Sequence, residues 1–261
     1  MRQTADILKT FYENRLGQTA RDMTWRRLYA LWGDLAGANV LGFGYCAPYL
    51  SAAQKRANRI VFVCPNEQGA LPQSGSRGVQ TCLADETLLP FSDATFDRVL
   101  CVHGVEEADD LPGLLDELWR VTQPEGRIVI VAAGRAGLWA RRETLPFGAG
   151  RSFTRHQLRR QLTRARFHPT VGAGALYGPP VSALSSPRLA RGFERCGEAL
   201  WPGLAGLVMV EAIKRLYVEP DRGHDAKVRI KSFSPQPNGI RPSSHRTRRR
   251  PHAPACQDEP S

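Results

Sequence analysis

Residues 83–135 read LADETLLPFSDATFDRVLCVHGVEEADDLPGLLDELWRVTQPEGRIVIVAAGR, and this stretch decides the fold of the 261-residue chain. Residues 98–102 and 127–132 are short apolar runs, typical of buried strands. Between them, Leu111–Val121 has the apolar spacing of an amphipathic helix, and the turn QPEG at 123–126 leads into the second strand. This order predicts parallel strands connected by a helix.

The same texture extends in both directions along the chain. Further strands are predicted at 40–43, 59–63 and 79–83, and two more at 171–177 and at the start of 206–217, with helical segments between most of them. Residues 4–33 carry two helical patterns, which Gly17 is predicted to separate and Gly33 and Gly37 to end. The alternation predicts an α/β fold, a mostly parallel sheet with helices on both faces, and an N-terminal helical cover.

Composition indicates an ordinary soluble protein, with 42% hydrophobic and 23% charged residues. No apolar run approaches the roughly 18 residues that span a bilayer, and the first residues do not resemble a secretory signal, so we expect a cytoplasmic protein and no membrane. Four of the six cysteines recur at intervals of about 18 residues, one per strand-helix unit. Buried strand cysteines are favoured over metal ligands, which would usually come as close pairs, and no metal is predicted.

Charge and composition divide the chain. The formal net charge is +11, of which about +4 falls in residues 218–261 (nine basic against five acidic), and the rest is expected to be spread thinly over the body. Because residues 218–261 hold few large apolar side chains, we predict a disordered basic tail. Its HRTRRRPH cluster is a candidate contact for nucleic acid or acidic lipids, but a solvated tail is favoured. The predicted organisation is a helical cover at 1–37, a globular domain at 38–217 and the tail at 218–261.

Residues 83–135 also carry an ordered motif set. It consists of an Asp-x-x-x-x-Pro-Phe loop, a Phe-Asp pair, a Glu-x-x-Arg-Val helix and a Pro-x-Gly turn: Asp85, Pro90, Phe91, Phe96, Asp97, Glu117, Arg120, Val121, Pro124 and Gly126. This set resembles the class I S-adenosylmethionine-dependent methyltransferases, particularly the type 11 domain. Over residues 40–217 the resemblance implies a doubly wound, Rossmann-like, seven-stranded mostly parallel sheet with a reversed last strand. It also implies methyl transfer from S-adenosylmethionine to a small-molecule acceptor.

The resemblance further implies a cofactor site in the loops that follow the strands, where a doubly wound sheet binds its ligand. Its acidic loop would bind adenine: the carboxylate of Asp85 accepts a hydrogen bond from the amino group, and the backbone N–H of Glu86 meets a ring nitrogen. The alternative for Asp85 is a turn or cap residue. The implied cofactor-binding residues are Gly42, Phe43, Gly44, Tyr45, Asn66, Glu67, Asp85, Glu86, Thr87 and His103.

The chain departs from the family pattern in the turn before the fifth strand, where Glu125 replaces the first glycine of the usual Pro-Gly-Gly, and at two motifs that lack their acidic residue. Gly42 replaces the acidic residue that usually begins the glycine turn, and Cys64 or Pro65 takes the place of the carboxylate that usually chelates the ribose. Glu67 reaches the ribose only if its loop bends back, and the alternative is a plain surface role. His103 maps beside the methionine moiety, where it would orient the cofactor or act as a general base, and the alternative is a hydrogen bond to the loop backbone.

Other functional classes compete with an enzyme. The missing acidic residues favour a non-catalytic cofactor-binding or regulatory module as the alternative, whereas an NAD oxidoreductase lacks its third glycine. The acidic run after the fourth strand is interpreted as charge compensation at a helix N-terminus. Aromatic and arginine residues on the loop and strand that follow are candidates for the acceptor pocket: Trp139, Arg141, Arg142, Phe147, Arg151, Phe153 and Tyr177. Nucleic acid is not expected as a partner of the globular domain.

Overall fold

The computed structural model describes residues 2–75, 78–181 and 186–216. Its helices are α1 (Ala5–Glu13), α2 (Arg15–Trp32), α3 (Ala47–Leu50), α4 (Leu111–Val121), α5 (Arg155–Arg164) and α6 (Pro187–Leu200). Its strands are β1 (Asn39–Gly44), β2 (Arg59–Pro65), β3 (Ser74–Gly75), β4 (Gly78–Val79), β5 (Thr81–Ala84), β6 (Phe96–Val102), β7 (Thr122–Ala133), β8 (Phe167–Ala175) and β9 (Leu207–Lys214). The predicted tail at 218–261 lies outside the described residues.

Seven of the strands form one sheet in the order β5-β2-β1-β6-β7-β9-β8. The first five pair in parallel, and β9 runs antiparallel to both β7 and β8. The predicted doubly wound sheet with a reversed last strand is confirmed. Strand order reverses between β1 and β6, and a sheet of this kind binds its ligand beside that point, at the carboxyl ends of the strands.

Helices cover both faces of the sheet, as expected for strands that are apolar on both sides. On one face, α1 and α2 bury Leu8, Phe11 and Leu28. On the other face, α4 and α5 bury an apolar stripe that includes Leu118 and Leu162. The two cores fix the strand ends, and therefore the loops that carry the candidate site residues.

The prediction that Gly17 separates the first two helices is wrong. The break falls at Asn14, whose side-chain Oδ1 accepts the Gly17 N–H at 2.8 Å and caps α2. Gly17 lies inside α2. Glycine is needed at this position because a Cβ would come within 1.9 Å of the Phe11 carbonyl oxygen. Its lack of a side chain thus lets α1 fold back tightly on α2.

The cysteines are small buried groups for the most part. Cys46, Cys64 and Cys101 are buried, although Cys46 lies in the loop after β1 rather than in a strand. Within the described ranges, no group of three or more His, Cys, Asp or Glu side chains is placed to hold a metal ion. No helix among the described residues is long and apolar enough to cross a membrane.

Candidate cofactor cleft

An open groove of about 260 Å³ lies at the carboxyl ends of β2 and β5, beside the loop that leads to α4. Five of the ten predicted cofactor residues line it. They come from the loop after β2 and the loop after β5: Asn66, Glu67, Asp85, Glu86 and Thr87. We call this the adenosine groove. Arg2, Asp109 and Asp110 also line it, together with the small apolar residues Pro65 and Ala84, so its polar side chains are mostly acidic.

Asp85 combines the two roles considered for it. Its Oδ1 accepts hydrogen bonds from the backbone N–H and the hydroxyl of Thr87, at 2.7 and 2.6 Å, which is a turn-forming contact. These bonds lower the pKa of the exposed carboxyl, so it is ionised at neutral pH. Its Oδ2 accepts no hydrogen bond from the described residues and is available to a ligand.

Glu86 is fixed by both of its carboxylate oxygens. The side chain of Arg2 donates to Oε2 at 2.6 Å, and the backbone N–H of Asp110 donates to Oε1 at 2.9 Å. Arg2 also donates to the Glu107 carbonyl oxygen at 2.7 Å and is buried, so the N-terminal segment forms the floor of the adenosine groove. The backbone N–H of Glu86 donates to no described residue, which leaves it free for a ligand.

The family motif on α4 holds the Asp85 loop in place. Arg120 donates to the carbonyl oxygens of Leu89 and Phe91 at 3.0 and 2.8 Å, and it forms a bidentate pair with Glu117. Glu117 in turn accepts the Leu89 N–H at 2.8 Å. Charge-assisted bonds to backbone on both sides therefore set the shape of the loop that carries Asp85.

Asn66 and Glu67 extend the groove on the β2 side. Both are exposed, and their side chains form no hydrogen bond or ion pair with the described residues. The next residue, Gln68, is buried and donates to the His103 carbonyl oxygen at 3.2 Å. This contact joins the loop after β2, which carries Glu67, to the loop after β6.

The glycine turn after β1 packs closely against β6 and α3. Gly44 has a φ of +79°, and a Cβ there would lie 2.3 Å from the Val102 carbonyl oxygen. A Cβ on Gly42 would lie 2.9 Å from side-chain atoms of Cys46 and Leu50. Each glycine is therefore required by the close approach of β6 or α3, whatever ligand the turn contacts.

An aromatic cluster encloses this turn. Tyr12 of α1 stacks on Tyr45 with ring centroids 5.8 Å apart, and its hydroxyl lies 2.9 Å from both the Tyr49 hydroxyl and the His103 Nε2. The Phe147 ring stacks on the His103 ring, with ring centroids 4.7 Å apart. All five side chains are buried. Gly42, Phe43, Gly44, Tyr45 and His103, the other five predicted cofactor residues, lie outside the lining of the adenosine groove.

His103 is a neutral, buried imidazole. Burial lowers its pKa to about 3, because the charged form loses its hydration without gaining a carboxylate partner. Such a ring exchanges hydrogen bonds with Tyr12 but is a weak base at neutral pH. Its backbone φ of +52° is rare for a residue with a side chain and marks the sharp turn that leaves β6.

Glu106 is a second unusual group at this edge of the sheet. It is not a surface charge at the start of α4, as the acidic run suggested, but is buried with only 4% of its surface exposed. Its Oε1 accepts the Ala133 N–H at 3.0 Å, while Oε2 has no hydrogen-bond partner among the described residues. Burial raises the pKa of this carboxyl to about 7.

The candidate acceptor residues are mostly structural in this conformation. Trp139 and Phe147 are buried, and the Trp139 indole N–H donates to the Gly178 carbonyl oxygen at 2.8 Å. Arg142 donates to the Pro180 carbonyl oxygen at 2.7 Å, and Arg151 donates to that of Ala108. These contacts tie the loop after β7 to its neighbours, and of the candidates only Phe153 lines the cavity beside the start of α5.

Residues 27–130 match the protein family described as "Methyltransferase domain". These residues are therefore similar to a methyltransferase domain, and we refer to them by that name. The matched residues run from the second half of α2 into β7, so the methyltransferase domain includes β1, β2, β5 and β6 and the loops of the cleft. The adenosine groove and the aromatic cluster both lie largely inside it.

Curated relatives of the methyltransferase domain include two demethylmenaquinone methyltransferases. The protein of Streptomyces avermitilis is 34% identical over 121 residues, which are 45% of this chain and 52% of that protein. The protein of Corynebacterium glutamicum (strain R) is 29% identical over 111 residues, 42% of this chain and 48% of that protein. The chain thus spans about half the length of the curated relatives it matches.

Solved structures share the fold. A methyltransferase from Thermotoga maritima, described as a possible histamine N-methyltransferase, superposes with a TM-score of 0.56 at 14% identity, covering 79% of this chain and 94% of that chain. The geranyl diphosphate C-methyltransferase of Streptomyces coelicolor A3(2) gives a TM-score of 0.52 at 15% identity, covering 74% and 79%. At such identities the likeness concerns the fold alone.

Sequence reasoning missed three residues that shape this cleft: Arg2, Tyr12 and Glu106. Arg2 and Tyr12 lie in the predicted helical cover, and their contacts are with residues 84 and 91 positions away along the chain. Tyr12 carried a signal, since its phenol falls on the apolar stripe of α1 and a buried phenol usually finds a hydrogen-bond partner. Glu106 carried none, because it stands within a run of acidic residues.

Proposed function

We propose that the methyltransferase domain binds S-adenosylmethionine and transfers its methyl group to a small-molecule acceptor. The observation that carries the proposal is the adenosine groove, where two loops predicted separately from the sequence supply five polar residues to one cavity. In this groove, the Asp85 Oδ2 and the Glu86 N–H are an acceptor and a donor without protein partners. That pair complements the amino group and ring nitrogen of adenine.

The residues of the groove have distinct roles in this proposal. Asp85 accepts from the adenine amino group, the Glu86 backbone donates to the ring, and Glu67 with Asn66 binds the ribose hydroxyls. Arg2 and Arg120 act indirectly, since they fix Glu86 and the Asp85 loop. When bound, the cofactor supplies an electrophilic methyl group, and the protein has to place the acceptor in line with it.

The methionine end of the cofactor requires space near Gly44, which the aromatic cluster now covers. Tyr12 and Tyr45 are stacked there, and Tyr12 belongs to α1 rather than to the matched family residues. We infer that cofactor binding displaces the Tyr12 ring and, with it, the α1 part of the N-terminal segment, while Arg2 keeps its bonds to Glu86 and the Glu107 carbonyl oxygen. A buried side chain held by two hydrogen bonds gives this step a measurable cost in affinity.

Glu106 is the group we propose for accepting a proton from the acceptor. It lies at the carboxyl ends of β6 and β7, and its Oε2 has no partner among the described residues. A carboxyl whose pKa is about 7 is half ionised at neutral pH, which suits general base catalysis better than the imidazole of His103 does.

A second candidate function is a non-catalytic module that binds the nucleoside portion of the cofactor alone. The packed aromatic cluster over the glycine turn favours it. Under this candidate, adenosine binds as well as S-adenosylhomocysteine does, because the methionine portion adds no contact. If the protein is a methyltransferase, S-adenosylhomocysteine binds more tightly than adenosine.

Isothermal titration of the full chain with S-adenosylmethionine, S-adenosylhomocysteine and adenosine tests the proposal. We expect both sulfur compounds to bind, and the affinity of Asp85→Ala to fall about tenfold, since one charge-assisted hydrogen bond is removed. The matched control is Asp22→Ala, which removes an exposed carboxylate of α2 whose one ion pair within the described ranges is with Arg21. No heat from either sulfur compound would end the enzyme proposal.

A further inference from the structure

The positive charge of this protein is concentrated in one part of the chain. Residues 135–204 hold twelve arginines against three glutamates, a net +9, whereas residues 34–134 hold seven basic against thirteen acidic residues, a net −6. The expectation of a thinly spread charge is therefore wrong. The acidic part contains the adenosine groove, and the basic part contains α5, which packs on β8 and β9, and α6, which packs on α2.

Helix α6 is amphipathic, but its apolar stripe does not face the core. The inward positions are Ala190, Glu194 and Gly197, and Glu194 accepts the Tyr177 N–H at 2.9 Å. One flank carries large apolar side chains that continue past the end of the helix and are 38–66% exposed: Leu189, Phe193, Leu200, Trp201 and Leu204. The other flank carries exposed arginines that bond to no described residue: Arg188, Arg191 and Arg195.

The apolar residues lead directly into a cationic groove. A cavity of about 380 Å³ is lined by Pro202 and Gly203, which lie between Trp201 and Leu204 in the sequence, and by three basic side chains: Arg135, Arg155 and His156. Exposed apolar residues are thus accompanied by arginines on α6 and by arginines of this cavity. We give the name α6 surface to the apolar flank of α6, Trp201, Leu204 and the arginines of both groups: Arg188, Arg191, Arg195, Arg135 and Arg155.

We propose that the α6 surface docks the protein on an anionic lipid bilayer. The arginines meet the phosphates and acidic headgroups, while Trp201 and the neighbouring leucines enter the boundary between headgroups and acyl chains. Tryptophan favours that boundary because its ring is apolar and its N–H is polar. The docking is peripheral and independent of the proposed methyl transfer.

Charge and apolarity together select this occupant. A second copy of the chain would bring one net +9 segment against another, which opposes close association. Nucleic acid would neutralise the arginines but leave the five large apolar side chains in water. A bilayer with acidic lipid satisfies both sets of groups.

Flotation of the full chain with lipid vesicles tests the proposal. One set of vesicles is phosphatidylcholine alone, and in the other about a third of the lipid is phosphatidylglycerol. We expect binding to the anionic vesicles only. Trp201→Ala/Leu204→Ser is expected to lower the partition coefficient about tenfold or more, since two interfacial side chains are lost. Arg191→Gln/Arg195→Gln is expected to lower it by a similar factor at low salt.

Matched variants separate the α6 surface from other contributions, including the basic tail, which all variants keep. Ile7→Ser/Leu88→Ser removes two exposed apolar side chains elsewhere, and Arg21→Gln/Arg56→Gln removes two exposed charges elsewhere. Both controls are expected to bind vesicles as the natural chain does. Full binding by the Trp201→Ala/Leu204→Ser variant would overturn the proposal. So would a dimer that this variant converts to monomer, or nucleic-acid binding through the α6 surface without vesicle binding.

Discussion

The two ends of the cofactor cleft are built in opposite ways. At the adenosine groove, polar loop residues are exposed and an acceptor and a donor are left without partners. At the glycine turn, Tyr12, Tyr45 and His103 are buried and bonded or stacked to one another. The adenosine groove therefore has polar groups available to a ligand, whereas the side chains at the glycine turn contact one another. Under the proposed function, affinity arises at the open end and the closed end controls whether the whole cofactor enters.

Removing the centre of the closed end has the largest expected effect. Phe147 is 1% exposed and packs against His103, Phe11 and Trp139. Phe147→Ala leaves a cavity in this cluster and is expected to lower the free energy of unfolding by about 3 to 5 kcal/mol. Asn66→Ala at the open end is the matched control and is expected to change it by less than about 0.5 kcal/mol. Urea denaturation of both variants measures the contrast.

Loosening the open end has a smaller effect on stability and a direct effect on the groove. Arg120→Ala removes the bonds to Leu89 and Phe91 and the ion-pair partner of Glu117, and it is expected to lower the free energy of unfolding by about 2 to 3 kcal/mol. Amide hydrogen exchange at Leu89 is expected to speed up more than exchange at residues of α2. Unchanged exchange at Leu89 would contradict the positioning role of Arg120.

Glu106 gives the cleft a pH-dependent stability of known sign. Its pKa is about 7 in the folded protein and 4.5 when unperturbed, so the folded form holds a proton that the unfolded chain releases. The stability contributed by the neutral carboxyl is present below pH 4.5 and is lost as the pH rises to about 7. Glu106→Gln keeps a neutral side chain at every pH. Its free energy of unfolding is expected to exceed that of the natural chain by on the order of 2 kcal/mol at about pH 8.

The matched measurement for Glu106 is the same comparison in acid. At about pH 4 both forms are neutral at this site, and the gain of Glu106→Gln is expected to vanish. Thermal denaturation of the two proteins across this range gives the result. A gain that is the same at every pH would show that the buried carboxyl does not titrate as the geometry requires.

The smallest expected effect comes from one hydroxyl at the closed end. Tyr12→Phe removes the bonds to Tyr49 and His103 and keeps the ring packing, so it is expected to cost about 1 kcal/mol of stability. Because the N-terminal segment is then held less firmly, S-adenosylhomocysteine is expected to bind faster in stopped-flow experiments. Tyr29→Phe, on an exposed ring of α2, is the control and changes neither quantity. Slower binding by Tyr12→Phe would contradict the displacement of this segment.

Much of the fold was predictable because periodicity reports it. Most strands of the sheet lie within a few residues of their predicted bounds, and the α4 prediction agrees residue for residue. The exception is β7, which starts at Thr122 and includes residues 123–126, where a turn was predicted. The break between α1 and α2 was mispredicted because glycine is a common helix breaker, whereas Gly17 serves a close helix contact and Asn14 provides the cap. A single sequence does not distinguish these two uses of glycine.

The site was predictable only where local motifs define it. Asp85 and Glu86 belong to a loop whose pattern is readable, and they line one groove together with Glu67, for which the sequence left a plain surface role open. The contribution of Arg2 depends on an ion pair between residues 84 positions apart, which no local pattern encodes. The burial of Glu106 likewise follows from the meeting of β6 and β7 with their loops.

The central claim is that the adenosine portion of S-adenosylmethionine binds between the loops after β2 and β5. Titration of the ¹⁵N-labelled full chain with S-adenosylhomocysteine tests it most directly, through the amide chemical shifts. The account predicts the largest shift changes at Glu86, Asn66 and Glu67, with smaller changes at Tyr12 as α1 moves. An absence of change at these amides under saturating ligand, or changes confined to the α6 surface, would contradict it.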